Sequence, residues 1–285
     1  MFKRQRAGSV VCVSCGYLVG VNDAKCYHCG RRNPGLWGFA PALRSLGSDL
    51  GFVPFVTTLC IIVYGLTLVT SGAGVMSGGP LSFLAPSGYS LILFGASGSY
   101  PVFDLGRWWT VLSASWLHGG LLHILFNLLW IRQLAPEVGE LYGPGRMIVI
   151  YTIAGICGFT ASSVAGYELG FLPIRILQGA QLTIGASAPI FGLLGAVVYY
   201  GRRTGSRATQ SNAWMWAIAM FIFGLVMPGV DNYAHAGGFA GGYLASVVLD
   251  PLKTERIDHM LMAVVCLGLS VLSIVVSVLH GLALR

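Results

Sequence analysis

Seven runs of mostly apolar residues dominate this chain, at roughly 53–71, 120–136, 146–166, 186–201, 213–229, 233–249 and 260–281. A helix needs ~20 such residues to cross hydrocarbon. Inside a bilayer only helices and closed barrels satisfy every backbone polar group. Charged residues make up 9% of the chain, far below the ~25% of a soluble domain. The expected fold class is therefore all-α, a polytopic membrane helix bundle. The 40 glycines suit helices that approach one another closely in lipid. Residues 229–232 alone separate the fifth and sixth runs, which predicts a tight helical hairpin. Met1–Arg6 is basic, but no long apolar run follows until near Phe52. Insertion is expected to rely on the internal helices rather than on a cleaved leader.

Two connecting stretches are not ordinary loops. Residues 36–52 form a linker in which Trp37, Phe39, Leu43, Leu46 and Leu50 stand among Gly, Pro and Arg44. It reads either as a segment lying on the membrane surface or as a partly ordered linker. Residues 72–119 are too polar and broken to span, yet too apolar for a simple connection. They are expected to lie partly in the membrane interface, and connections that long are usually functional or disordered.

The net charge of +7 could suggest a nucleic-acid partner, but the placement of the charges points to the membrane. With the N-terminus in the cytoplasm and seven alternating helices, fourteen Lys and Arg residues fall on the inner side: Lys3, Arg4, Arg6, Lys25, Arg31, Arg32, Arg44, Arg132, Arg146, Arg202, Arg203, Arg207, Lys253 and Arg256. Three fall outside, Arg107, Arg175 and Arg285. Such a bias sets membrane orientation, so the basic charge is explained without nucleic acid. The chain is expected to be a multi-pass protein of the cell (inner or plasma) membrane, with membrane lipids as its surroundings.

This topology brings four polar side chains from three helices to one depth near the outer face. Ser187 follows Gly185 and Ala186, and Pro189 suits the first turn of a helix. Ser187 is thus expected at or just before a helix start, where free N–H groups and the dipole favour a developing oxyanion. A small residue easing helix packing fits the same position. His235 opens the sixth run with Gly238 and Gly242 on its own face; histidine in a spanning helix usually faces the bundle interior and has a function, although a helix-end hydrogen bond is the plainer reading. His123 and Asn127 are four apart, share a face, and could either donate to an oxyanion or pair between helices. His118, just before that helix, reads as a residue ordering the long loop. No Asp or Glu lies deep in the runs, and Asp231 belongs to a loop, so a Ser187–His235 dyad is the economical reading. Metal ligation by the histidines lacks carboxylate or cysteine partners at suitable spacing. A channel or transporter lined by His123 and His235 is disfavoured by the scarcity of intramembrane carboxylates and the absence of a clear inverted repeat.

Gly-Ala-Ser187, Ala-His235-x-Gly-Gly and His123-Ile-Leu-Phe-Asn127-Leu-Leu-Trp130 together resemble the motifs of the rhomboid intramembrane serine proteases, over roughly residues 53–250. The resemblance implies a six-helix core plus one C-terminal helix. It implies Ser187 as nucleophile, His235 as general base, and His123, Asn127 and the Ser187 N–H as oxyanion donors. Chemistry would need no cofactor, and the substrates would be single-pass transmembrane proteins cut near the outer face. A catalytically silent relative that binds membrane helices is the alternative. Phe191 stands where the family often has a tyrosine against the histidine, Ala188 loosens the pattern after the serine, and Thr110 stands where the first loop often has arginine.

Residues 1–35 are polar and read Cys12-x-x-Cys15, ten residues, Cys26-x-x-Cys29, each pair followed by glycine. That is the spacing of a zinc ribbon. A unit this short has too little core to fold without a metal or a bridge, and disulfides are disfavoured in the cytoplasm. Structural Zn²⁺ on Cys12, Cys15, Cys26 and Cys29 is expected; His28 is not expected to be a ligand. Cys60, Cys157 and Cys266 lie singly in apolar helices and read as packing residues. The organisation expected is 1–35 ribbon, 36–52 linker, 53–250 six-helix membrane domain, and 251–285 seventh helix and tail.

Overall fold

The computed structural model describes residues 3–72, 75, 83–174 and 177–283. Two of the charges expected on the outer side, Arg175 and Arg285, and residues 73–74 and 76–82 of the long first connection lie outside the described residues. The first elements are an antiparallel hairpin of β1 (Ser9–Val11) and β2 (Leu18–Gly20), in the register Ser9↔Gly20, Val10↔Val19, Val11↔Leu18. A one-turn α1 (Ala40–Arg44) leads to α2 (Phe52–Ser71). The first connection holds α3 (Gly88–Phe94) and α4 (Thr110–Ser113). Then come α5 (Leu121–Tyr142), α6 (Pro144–Leu169), α7 (Ser187–Thr204), α8 (Arg207–Val226), α9 (Asn232–Val248) and α10 (Ile257–Ala283).

The seven apolar runs are thus α2 and α5 to α10. Among the described residues, α2, α6 and α10 are long and apolar enough to cross a membrane alone. Of the others, α5, α7 and α9 carry the polar residues singled out above. The runs mark helix interiors better than ends. The second run ends at Pro136 in the sequence, but α5 continues to Tyr142 through that proline. The proline carbonyl accepts from Ser48 Oγ at 3.0 Å, so the linker packs on this end of α5. Asn232, expected in the hairpin turn, is the first residue of α9, and Asp231 caps it by accepting from Ala234 N at 3.0 Å.

From residue 83 onward the first connection folds against the bundle. Ser90, Ser97, Ser99, Arg107, Thr110 and Ser113 are all buried. Hydrogen bonds within the fold receive them, which is why so polar a stretch can pack at all. Ser113 Oγ donates to Gly95 O at 2.7 Å, and Arg107 Nη1 donates to Ile92 O at 3.1 Å. Trp109 Nε1 reaches α10, donating to Ser277 Oγ at 3.0 Å.

The centre of the bundle is α9, wedged between α6 and α7. Gly238 and Gly242 face α7, where a Cβ would overlap Ala188 O and Gly192 O; Gly237 and Gly241 face α6 at Gly158 and Cys157. With no lipid-side hydrophobic force between helices, such backbone approach supplies the packing. Gly242→Leu is therefore expected to push α9 off α7 and lower the thermal midpoint by about 5–10 °C. Gly268→Leu, at an α10 position where an added Cβ would meet no atom within 4 Å, should leave it unchanged; thermal unfolding in detergent reads both.

Candidate active site

Ser187 is the first residue of α7, and no side chain caps that helix start. The first-turn N–H groups and the positive end of the dipole therefore remain available beside the serine hydroxyl. The chain is guided there from two sides. Thr183 pairs with Ser97 in an isolated antiparallel bridge, and Gly185 N donates to Ala114 O at 2.9 Å. Ala188 is fully buried where α7 meets α6 and α9, so its methyl group has a packing role at this crossing.

His235 lies one helical turn inside α9 and is 5% exposed. Its Nε2 is 3.0 Å from Ser187 Oγ. The Phe191 ring stacks on the imidazole, with centroids 4.1 Å apart and planes 16° from parallel. The phenyl group thus does the packing expected of it. On the other edge of the ring, Nδ1 is 3.2 Å from Asn232 Oδ1. Oδ1 can only accept, so Nδ1 carries the proton and Nε2 is left to accept from the serine hydroxyl. Asn232 does not stand out in the sequence, where a third member is sought among carboxylates. Its signal is its place three residues before the histidine on the same helical face. Asp231 instead caps α9 and accepts a hydrogen bond from Ser162 Oγ.

His123 sits in the first turn of α5. Its Nδ1 accepts from Gly119 N at 3.2 Å, which assigns the proton to Nε2. That N–H lies against Gly185, where a Cβ would come within 2.6 Å of Nε2. Glycine is needed at 185 for this approach, two residues before the serine. Asn127 is buried on the same face and donates through Nδ2 to His123 O at 2.8 Å. One of its two amide hydrogens is thereby used, and one remains. His118 is fully buried and edge-on to His123, with ring centroids 5.3 Å apart. Thr110 Oγ1 donates to Arg107 O at 2.8 Å. The buried arginine of this loop is therefore Arg107, three positions earlier than the family pattern suggests.

At the other end of the chain, the Sγ atoms of Cys12, Cys15, Cys26 and Cys29 all lie within 4.8 Å of one another. Cys12 and Cys29 are 3.8 Å apart and Cys15 and Cys26 3.6 Å. A tetrahedron with Zn–S bonds of ~2.3 Å has edges of about 3.8 Å, so the cluster fits a four-coordinate metal. Gly16 and Gly30 follow the two cysteine pairs with φ of 78° and 73°, a left-handed turn open to glycine. There Gly16 N and Gly30 N donate to Cys12 O and Cys26 O at 3.0 and 2.9 Å. Burial pushes the Cys15 thiol up to about 12, whereas the Cys29 backbone N–H helps draw Cys26 down to about 7. A divalent cation would take all four as thiolates. His28 stacks on Tyr17 at 3.9 Å and is not part of the cluster. The hairpin touches the membrane helices' connections through Ser14 Oγ, which donates to Glu255 O at 3.0 Å.

Comparison with known proteins gives the same picture of kinship. A family profile described as Rhomboid domain matches residues 105–252. The chain is 33% identical over 181 residues to Rhomboid protease GluP of Bacillus subtilis, covering 62% of this chain and 33% of that protein. It is 32% identical over 170 residues to RHOMBOID-like protein 4 of Arabidopsis thaliana, covering 58% and 40%. It is 28% identical over 155 residues to Putative rhomboid protease YdcA of Bacillus subtilis, covering 53% and 72%. The chain therefore spans well under half the length of the first two relatives.

Proposed function

The chain belongs to the rhomboid family, and from that premise we propose that it is an intramembrane serine endopeptidase that cuts transmembrane helices near the outer membrane face. The observation that carries this reading is the 3.0 Å approach of His235 Nε2 to Ser187 Oγ in a chain of membrane-spanning helices. His235 accepts the Ser187 proton as the hydroxyl attacks the scissile carbonyl. The tetrahedral oxyanion is held by the Ser187 N–H at the start of α7, by His123 Nε2–H and by the remaining Asn127 amide hydrogen. His235 then protonates the leaving amine, and water, activated by the same ring, releases the acyl group from Ser187. No cofactor takes part. The N-terminal segment lies in the cytoplasm, holds one structural Zn²⁺ on its four cysteines, and the whole sits in the cell membrane.

Asn232 acts as a positioning residue that fixes the His235 tautomer. Asn232→Ala is expected to lower kcat about tenfold, the worth of one orienting hydrogen bond, with KM little changed. Steady-state cleavage in liposomes separates the two constants, and an unchanged kcat would remove Asn232 from the mechanism.

The reading itself is tested on purified full-length protein. A serine-reactive phosphonate should label one residue, mapped to Ser187 by peptide mass spectrometry. Reconstituted protein should cut a single-pass substrate at its outer end. An unlabelled Ser187 together with intact but bound substrate would favour the silent helix-binding relative.

A further inference from the structure

A cavity of about 400 Å³ lies between α5 and α8, backed by α7. Its polar lining is Gln133 and Glu137 from α5 with Thr209 and Asn212 from α8. Trp130 and Trp216 also line it and meet edge to face, with ring centroids 5.1 Å apart and planes at 73°. Glu137 makes no ion pair among the described residues. Neither Arg132 nor Arg207 lines the cavity, although both are close in sequence. Glu137 and Glu140, one turn further along α5, are both exposed, so the mouth of the cleft is negative and carries no paired counter-charge among the described residues.

Resting on the proteolytic reading above, we propose that this cleft receives a lysine or arginine side chain at the far flank of the substrate's membrane helix. The chemistry selects a cation. Glu137 supplies the charge, the Gln133 and Asn212 side-chain oxygens and the Thr209 hydroxyl can accept N–H groups, and indole faces attract ammonium and guanidinium ions. An anionic group would meet Glu137 unfavourably, and an apolar one would bury the polar lining unpaired.

The depth fits as well. Glu137 is fourteen residues beyond His123 on α5, or ~21 Å along the helix. A substrate helix lying beside α5 and α8 with its scissile bond at Ser187 carries, at that depth, the residue about 14 positions from the cut. That is the flank facing the cytoplasm, where spanning helices carry their excess of Lys and Arg. The cleft would therefore fix how deeply a substrate sits, and so which bond meets Ser187.

The test uses full-length protein in liposomes with two competing single-pass substrates, identical except for Lys or Gln about 14 residues from the cut. Wild type should favour the Lys substrate roughly tenfold in kcat/KM. Glu137→Gln should bring the ratio near one. Glu137→Lys should favour a third substrate carrying Glu at that position. Because the substrates compete for the same enzyme, the ratio does not depend on how much of a variant folds. A wild-type ratio near one, or a preference that survives both substitutions, overturns the proposal while leaving proteolysis intact. A wild type that cuts none of the substrates overturns the proteolytic reading and this proposal together.

Discussion

Ser187→Ala is expected to abolish phosphonate labelling and to lower cleavage of a reconstituted substrate by about 10⁴-fold or more. His235→Ala should do nearly the same, because nucleophile and base act as a unit and the second loss adds little once the first has occurred. The double variant is accordingly expected to fall within about tenfold of either single variant, well short of the product of the two. His123→Ala and Asn127→Ala belong to a different class. On the proposed mechanism each would remove one oxyanion donor and should cost about 10²–10³-fold while leaving the serine nucleophilic. Quantitative labelling rates beside cleavage rates discriminate the two classes. Cleavage that persists in Ser187→Ala would move the chemistry to another group.

The second large effect is at the opposite end of the molecule. Cys12→Ser, or a strong chelator, should unfold residues 3–35, because the hairpin core consists of Val10, Val19, Val21 and the cysteines themselves. Structural zinc contributes ~10–16 kcal/mol in comparably small units, far more than a handful of buried side chains of that size can replace. Native mass spectrometry of the wild type should show one zinc, and hydrogen exchange across β1 and β2 should accelerate sharply on its removal. A metal-free wild type with a protected hairpin would defeat the assignment. Since Ser14 holds the hairpin to Glu255, exchange at residues 250–256 should rise in parallel.

Much of this architecture is legible in the sequence because lipid imposes a simple rule: apolar runs become helices. That rule alone places every core helix, although α5 ends six residues later and α8 begins six residues earlier than their apolar runs. Pro136 misleads, since a proline reads as a stop, yet α5 runs through it to Tyr142. The first connection misleads differently. Composition shows its polarity, but whether Ser90, Ser97 and Thr110 face water or one another depends on pairings with distant segments, such as Ser97 with Thr183. In the site, Ser187, His235 and His123 stand out as polar residues in apolar surroundings. Asn232 does not, because next to a turn an asparagine is an ordinary cap or turn former. Only the observed orientation of the imidazole gives it a partner.

The bond from Trp109 to Ser277 has a consequence in time. The first connection is braced against α10, and through the Ser97–Thr183 bridge it steadies the segment entering Ser187. During synthesis α10 leaves the ribosome after α2 and α5 to α9. Until it arrives, Ser187 and His235 can already be in the bilayer while the strut beside them has no abutment. A half-made chain thus carries Ser187 and His235 but not the finished frame around them, so the order of translation itself postpones the moment at which the frame closes.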